Sequence, residues 1–279
     1  MPQQRRFRLK QLIKSGLAAV GLEPRRLPHS QPPSPGSTGR PIGKITSFLE
    51  DVRTRGFRPT GILDVGANRG DWTRMALSIY PSARVVMIEP QDEMDAPLLT
   101  LCREQPSCRR VKAGAGRAEG ELIQTIFEDL GGSSFLPPPD DEQIGIGRQR
   151  RTKVLTIDRI LAEHKDFRPD LVKLDIQGFE LEALSGGNEL FGTTELFIIE
   201  TSLFSFMDRQ PMTREVISFM ADRSYEIYDI TEYVRRPYDG ALGQVDIAFV
   251  KSRGFLRSSN RWDVKWTRDL GPDRKEGDR

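Results

Sequence analysis

Between residues 42 and 250, short apolar segments alternate with amphipathic ones, and this alternation limits the fold more than any other feature of the chain. The segments TGILDV, ARVVMIE, PDLVKLDI and TELFIIET each precede a stretch with helical spacing, such as DWTRMALSIY after the first. Short, continuously apolar runs are typical of strands that are covered on both faces. The pattern therefore predicts an α/β protein with a doubly wound, mostly parallel sheet and helices on both faces.

The two ends of the chain do not follow this pattern. The first 27 residues place apolar side chains at helical spacing among Lys and Arg, and residues 28–41 contain five prolines in fourteen positions. Proline at this density prevents regular structure. The sequence therefore predicts a basic N-terminal helix at 1–27, a Pro-rich linker at 28–41, one domain at 42–250 and a polar C-terminal tail at 251–279.

The net charge of +2 is unevenly distributed along the chain. Residues 1–28 carry +6, residues 29–250 carry −8 and residues 251–279 carry +4. An acidic body argues against a nucleic-acid partner, because the binding face of such enzymes is normally basic. We expect the N-terminal helix to pack on the body, with a weak membrane-surface contact as the alternative.

Cysteine and histidine are scarce, which limits the chemistry of the chain. Cys102 and Cys108 are too few for a disulfide framework or a Cys-rich zinc site, so a cytoplasmic location is expected. His29 and His164 are the only histidines, which argues against His-based metal clusters and Ser–His–Asp catalysis. Carboxylates, Lys or Tyr must therefore carry most of any catalysis.

In the motif ILDVGANRGDW, a buried strand ends at Asp64 and continues through three further polar or glycine positions into a helix. Ligands of open α/β sheets bind beyond the carboxyl ends of the strands, and glycine there allows close approach of the backbone. A dinucleotide site would have the spacing Gly-x-Gly-x-x-Gly, and the Asp64 carboxylate would repel a pyrophosphate. It suits a ligand with a cationic amino-acid end, such as S-adenosylmethionine.

A second carboxylate lies at the end of the next strand, where Glu89–Pro90 follows Gly70 by nineteen residues. An acidic group at this place accepts hydrogen bonds from both ribose hydroxyls. S-Adenosylmethionine accounts for Asp64 and Glu89, whereas NAD accounts for Glu89 alone. The pair favours a methyl-donor pocket over a simple turn and over a nucleotide-binding oxidoreductase.

The segment VKLDIQGFELEAL places a further group of charges at a strand end. Lys173 and Asp175 point to one face of the strand because side chains alternate, and Glu180 falls in the first turn of the next helix. The alternative is structural: Lys173 only pairs with Asp175, and Glu180 stabilises the helix dipole by about 0.3–1 kcal/mol.

Residues 60–250 resemble the FkbM-type methyltransferases, through DVGANRG, IEP at 88–90, TIDRIL, VKLDIQGFELEALSGG and VDIAFV. The resemblance implies a Rossmann-like sheet of the class I methyltransferase type and S-adenosylmethionine as cofactor. It implies that the methionine end is bordered by Asp64, Gly66, Ala67, Asn68 and Gly70, and the ribose by Glu89 and Pro90. The segment GGSSF, residues 131–135, resembles a family segment that closes over cofactor or acceptor, whereas Gly114–Ala115–Gly116 departs from the family pattern and leaves the adenine contacts open.

The same resemblance implies O-methyl transfer to a hydroxyl of a sugar, glycolipid or polyketide-like acceptor. We predict Asp175 as the base or orienting group, with Lys173 setting its charge state and Glu180 orienting the acceptor. The sequence indicates no metal, although a divalent ion among these carboxylates stays open. The alternative function is a non-catalytic adaptor that keeps the fold and is recruited through its basic ends.

Overall fold

The computed structural model describes residues 39–259, so the predicted N-terminal helix, most of the linker and residues 260–279 lie outside the described part. The described residues form ten strands. They are β1 (Gly61–Val65), β2 (Arg84–Ile88), β3 (Cys108–Val111), β4 (Gly114–Ala115), β5 (Gly120–Thr125), β6 (Gln149–Leu155), β7 (Leu171–Leu174), β8 (Leu196–Ser202), β9 (Tyr225–Arg235) and β10 (Leu242–Lys251).

The same residues form seven α-helices, none of which has the length and apolar character needed to cross a bilayer. They are α1 (Ile45–Thr54), α2 (Asp71–Ile79), α3 (Asp95–Glu104), α4 (Asp141–Gly145), α5 (Ile157–Glu163), α6 (Glu180–Ser185) and α7 (Thr213–Ala221).

A seven-stranded sheet in the order β3-β2-β1-β7-β8-β10-β9 forms the centre of the domain. The pairs among β3, β2, β1, β7 and β8 are parallel, whereas β10 is antiparallel to both β8 and β9. The chain runs outward from β1 to β3 and then returns to β7 beside β1. The prediction of a doubly wound, mostly parallel sheet is confirmed, and its switch in strand order lies between β1 and β7.

Each face of this sheet is covered by helices. Neighbouring side chains of a strand point to opposite faces, so consecutive residues pack against different helices. Ile62 packs in the apolar cluster that contains α1, α2 and α3, whereas Leu63 packs in the cluster that contains α5, α6 and α7. Near the carboxyl end of β1 this alternation places Asp64 on the same face as Ile62, where it is buried under α1–α3.

A second, three-stranded sheet has the order β4-β6-β5, with β4 parallel and β5 antiparallel to β6. The segment RRVKAGAG divides between the two sheets: β3 ends at Val111, and β4 begins at Gly114. The division places the small sheet over the carboxyl ends of the large sheet, on one side of the cavity described next.

Candidate active site

A cavity of about 420 Å³ lies at the carboxyl ends of β1, β2 and β7, under the small sheet. Its size falls within the range of about 300–1,000 Å³ that is usual for small-molecule sites. Five residues predicted from the sequence line it: Gly66, Asn68, Glu89, Pro90 and Asp175. Five other predicted residues lie outside this lining: Asp64, Ala67, Gly70, Lys173 and Glu180. Two of them bond to residues that line it, Lys173 to Asp175 and Glu180 to Ile176.

The glycines of the β1–α2 turn are required by neighbouring parts of the protein. Gly66 has a φ of +85°, and a Cβ atom there would lie 2.0 Å from the carbonyl oxygen of Asp175. Gly70 has a φ of +82°, and a Cβ atom there would lie 2.7 Å from Leu101 Cδ2 on α3. Both glycines therefore allow the turn to pack closely against other elements. Gly66 also lines the cavity.

Asp64 is completely buried and bonds to the helix that follows the turn. Its Oδ2 accepts a hydrogen bond of 2.5 Å from the Thr73 hydroxyl on α2, while its Oδ1 has no partner within the described part of the chain. Burial raises the pKa of Asp64, and nearby Lys173 opposes this rise. In this structure Asp64 holds the start of α2 against β1, and its contact with a methionine end stays a prediction.

Glu89 joins the two turns that border the cavity. Its Oε2 accepts the amide of Asn68 and its Oε1 accepts the amide of Gln91, each at 2.9 Å. Burial raises the pKa of the Glu89 carboxyl, while these two amides oppose the rise. An ionised carboxylate offers about four lone-pair sites, so two amides leave acceptor capacity for ligand hydroxyls.

Residues 126–140, which we call the strap, lie across the cavity and include GGSSF. The Ser133 hydroxyl donates to Gln91 Oε1 at 3.2 Å, and the Ser134 hydroxyl donates to the Gln177 carbonyl oxygen at 2.9 Å. Gln91 Nε2 in turn donates to the carbonyl oxygen of Leu130 at 3.1 Å. The strap is therefore bonded both to the turn after β2 and to the turn after β7.

The turn after β7 carries the charged end of the cavity. Lys173 Nζ lies 2.8 Å from Asp175 Oδ2. Gln177, which has a left-handed backbone with a φ of +54°, donates from Nε2 to Asp175 Oδ1 and to Glu200 Oε2, both at 2.9 Å. A left-handed non-glycine residue is uncommon, and here it positions one amide between two carboxyl groups.

The charge states of this group follow from one buried lysine among several carboxyls. Burial opposes the charge of Lys173, but the nearby carboxylates, Asp175 first, outweigh it and raise the Lys173 pKa. Burial also opposes ionisation of Asp175, but Lys173 and hydrogen bonds hold its pKa below the usual range. Burial and neighbouring carboxylates raise the pKa of Glu200 to about 10, and burial raises that of Asp246 to about 7.

Glu180 stabilises the turn that carries Gln177. Its Oε1 accepts the amide of Ile176 at 3.0 Å and that of Gly178 at 3.2 Å, and burial raises its pKa to about 7. The carboxyl is buried behind the cavity wall. The predicted role of Glu180 in orienting an acceptor stays a prediction. Such a role would be indirect, through the turn that Glu180 holds in place.

Several polar groups at this site were missed by sequence reasoning. Glu200 lies two residues before the end of β8, which neighbours β7, so the rule that sites lie near the carboxyl ends of adjacent strands would have found it. Gln91 directly follows the IEP motif and Gln177 lies within VKLDIQGFELEAL, and no periodic signal distinguishes either residue. Among residues 39–259, no group of three or more His, Cys, Asp or Glu side chains is arranged to hold a metal ion.

The comparisons with known proteins agree with the architecture. The model of the methyltransferase FkbM domain matches residues 64–227. Methyltransferase sdnD of Sordaria araneosa is 26% identical over 156 residues, covering 46% of this chain and 60% of that protein. The chain thus spans less than two thirds of that relative.

The matching solved structures have lower sequence identity. The crystal structure of methyltransferase FkbM from Methylobacillus flagellatus KT has 20% identity and a TM-score of 0.46, covering 75% of this chain and 48% of that one. Aeropyrum pernix fibrillarin, a complex with natively bound S-adenosyl-L-methionine, has 15% identity and a TM-score of 0.38, covering 68% of this chain and 66% of that one.

The fold and cavity define a Rossmann-like α/β protein of the class I methyltransferase type, as the sequence predicted. The chain belongs to the FkbM methyltransferase family, because the domain model matches more than half of the chain's length. Membership of this family implies S-adenosylmethionine as the methyl donor.

Proposed function

We propose that the protein transfers a methyl group from S-adenosylmethionine to a hydroxyl of a sugar, glycolipid or polyketide-like acceptor. The observation that carries this proposal is that one cavity has the Glu89 carboxylate in its wall and the Lys173–Asp175 pair at the carboxyl end of β7. The first group suits a ribose diol, and the second suits an acceptor hydroxyl.

The residues present fit the adenosyl ligand. Glu89 keeps lone pairs for two hydroxyls, and the glycines of the strap, Gly131 and Gly132, line the cavity without side chains. Apolar residues such as Ile88 and Ala113 line the same cavity. When bound, S-adenosylmethionine supplies a methyl group on a positively charged sulfonium.

The residues at the β7 end would bind and orient the acceptor. Asp175 is held ionised by Lys173 and accepts the hydrogen bond, and then the proton, of the acceptor hydroxyl. General-base assistance of this kind is typically worth 10²–10⁴-fold, and correct placement of the acceptor oxygen contributes further. Gln177 fixes the orientation of Asp175, because its amide donates to the oxygen that Lys173 leaves free.

Calorimetric titration with S-adenosylmethionine, beside NAD, tests the cofactor. We expect binding of S-adenosylmethionine alone, with an affinity at least tenfold lower in Glu89→Gln, whose amide would face the Asn68 and Gln91 donors. The control is Glu128→Gln, whose side chain is 91% exposed. Melting curves establish that each variant is folded, and saturating ligand should stabilise the wild type by about 2.7 kcal/mol at a hundredfold excess over Kd.

A screen of hydroxylated glycans, glycolipids and polyketides by mass spectrometry then tests methyl transfer. A methylated product that Asp175→Asn no longer forms would support the proposal. Binding of the cofactor without transfer to any acceptor would favour the adaptor function, and binding of NAD in its place would favour an oxidoreductase. Absence of S-adenosylmethionine binding in folded, ligand-free wild type would overturn the proposal.

A further inference from the structure

Gln124 on β5 is a buried amide that faces the cavity with an unused polar group. Its side chain is 3% exposed and belongs to the cavity lining. Its Oε1 accepts a hydrogen bond of 3.3 Å from the Thr152 hydroxyl on β6, while its Nε2 has no partner among residues 39–259. Whichever of the two polar atoms Thr152 holds, the other faces the cavity. The Nε2 atom is not fully enclosed, so a group bound in the cavity can accept its hydrogen bond.

The register of the small sheet locates Gln124 above the turn that follows Glu89. Gln124 lies opposite Arg150 in the β5–β6 pair. The Arg150 guanidinium reaches Glu93 at 2.5 Å and Asp92 at 3.6 Å, in the short helical turn just after Glu89. These ion pairs fix β6, and with it β5, over the part of the cavity where the proposed ribose contact lies.

The remaining lining near Glu89 suits a flat apolar ring. Ile88 ends β2 and Ala113 follows β3, and both side chains line the cavity. A purine attached to a ribose at Glu89 would place its faces against such groups and only its edge against polar ones. An amide is well matched to the edge of adenine, where ring nitrogens accept and the amino group donates.

We infer that Gln124 hydrogen-bonds the edge of the adenine ring of the bound adenosyl group and thereby selects adenine among the purines. This inference rests on the proposed function, because it assumes an adenosyl ligand in the cavity. Thr152 acts as a positioning residue, since it holds one polar atom of the amide so that the other points at the ring.

The test measures Kd values by calorimetry on the full chain, without any need for an acceptor. The probes are S-adenosylhomocysteine and four counterparts with an altered base. The 1-deaza, 3-deaza and 7-deaza compounds each remove one ring nitrogen, and the hypoxanthine compound reverses the hydrogen-bonding character of position 6 and of N1. We expect wild type to lose roughly five- to tenfold in affinity for at least one altered base, as one neutral hydrogen bond implies.

Gln124→Leu, which keeps the bulk without the amide, should bind S-adenosylhomocysteine with affinity lowered by a similar factor. It should no longer distinguish the base that wild type rejects, because the two changes remove the same contact. A loss of affinity caused only by altered packing would leave the discrimination between bases intact.

Gln149→Leu is the matched control. Gln149 is a second buried amide of the small sheet, but its Nε2 donates to Thr125 and Pro138 and its Oε1 accepts from Asp140. This variant should discriminate between the purines as wild type does.

Equal responses of wild type and Gln124→Leu to every altered base would overturn the inference, and so would a wild type that binds all five probes equally. The second outcome is readable even where Gln124→Leu does not fold. Absence of S-adenosylhomocysteine binding to wild type would instead overturn the proposed function itself.

Discussion

Lys173 and Asp175 form an ion pair of 2.8 Å whose two members differ in exposure, the lysine side chain being 6% exposed and the aspartate 34%. Both point to the α1–α3 face of β7 because they are two residues apart. The lysine is thus buried beneath the sheet end, while the aspartate reaches the cavity. Asp64, Glu200 and Asp246 also act on this single ammonium group.

Lys173→Met should be strongly destabilising, because it leaves a group of buried carboxyls without their cation. Breaking a buried pair typically costs about 3–5 kcal/mol in free energy of unfolding, measurable by urea denaturation. Lys153→Met, at an exposed position of β6, is the control and should stay near wild type. A Lys173→Met protein as stable as Lys153→Met would contradict the account of this group.

Glu200→Gln should reduce the pH dependence of stability. The folded-state pKa of Glu200 is raised to about 10, so between its ordinary value of about 4.5 and that value the folded protein holds a proton that the unfolded chain releases. The contribution of Glu200 to the free energy of unfolding is therefore greatest below about pH 4.5, and it declines as the pH rises toward 10. Burial is the main cause of this raised pKa; the charges of Asp175, Glu180 and Asp246 add to the rise, and Lys173 opposes it.

The measurement for Glu200→Gln is the free energy of unfolding at pH 5, 7 and 9. One whole proton corresponds to about 1.4 kcal/mol per pH unit, so the wild-type decline should become shallower by at most this amount. An unchanged slope in the variant would show that Glu200 does not retain a proton in the folded state.

Gly66→Ala should cost more than about 3 kcal/mol, since it combines a left-handed backbone with a collision against the Asp175 carbonyl oxygen. Gly147 has a similar φ of +76°, but a Cβ atom there would meet no atom within 4 Å. Gly147→Ala should therefore cost only about 1–2 kcal/mol. Gly145→Ala has neither feature and should be neutral or slightly stabilising. Equal losses at positions 66 and 147, by thermal or urea unfolding, would exclude the collision.

Ser134→Ala should loosen the strap, because it removes the hydrogen bond to the Gln177 carbonyl oxygen. Amide hydrogen exchange of residues 126–140 should become faster by a factor that corresponds to about 0.5–1.5 kcal/mol. Ser205→Ala removes a hydroxyl bonded to the Met207 carbonyl oxygen in an exposed loop and serves as the control. Exchange in the strap that is unchanged by Ser134→Ala would mean that this bond does not anchor it.

The sequence indicated the strands of the large sheet well, because a strand covered on both faces leaves a continuous apolar run. It also indicated that Glu89 and Asp175 lie at strand ends, which follows from local order alone. Helix α1 was not predicted, although Ile45, Phe48, Leu49 and Val52 have helical spacing and are buried. The small sheet was not predicted as a separate unit, because its division from β3 depends on contacts between residues distant in the chain.

The glycines of the first turn show a second limit of sequence reasoning. Glycine at positions 66 and 70 predicted a special backbone, and the structure has one. The residues opposite them, Asp175 and Leu101, belong to elements far along the chain, and no local pattern identifies such neighbours. For the same reason Gln124 stood out only after its surroundings were visible.

The small sheet and the strap are encoded by one uninterrupted stretch, residues 112–155, inserted between β3 and α5. Every strand of the large sheet, with Glu89 and Asp175 at two of their ends, lies outside that stretch. One continuous segment therefore covers the cavity, whereas the opposite wall is assembled from strand ends that lie on both sides of that segment in the chain. The two walls also share one apolar core, because Ala113, Ala115 and Leu155 pack with Leu63 and Val172.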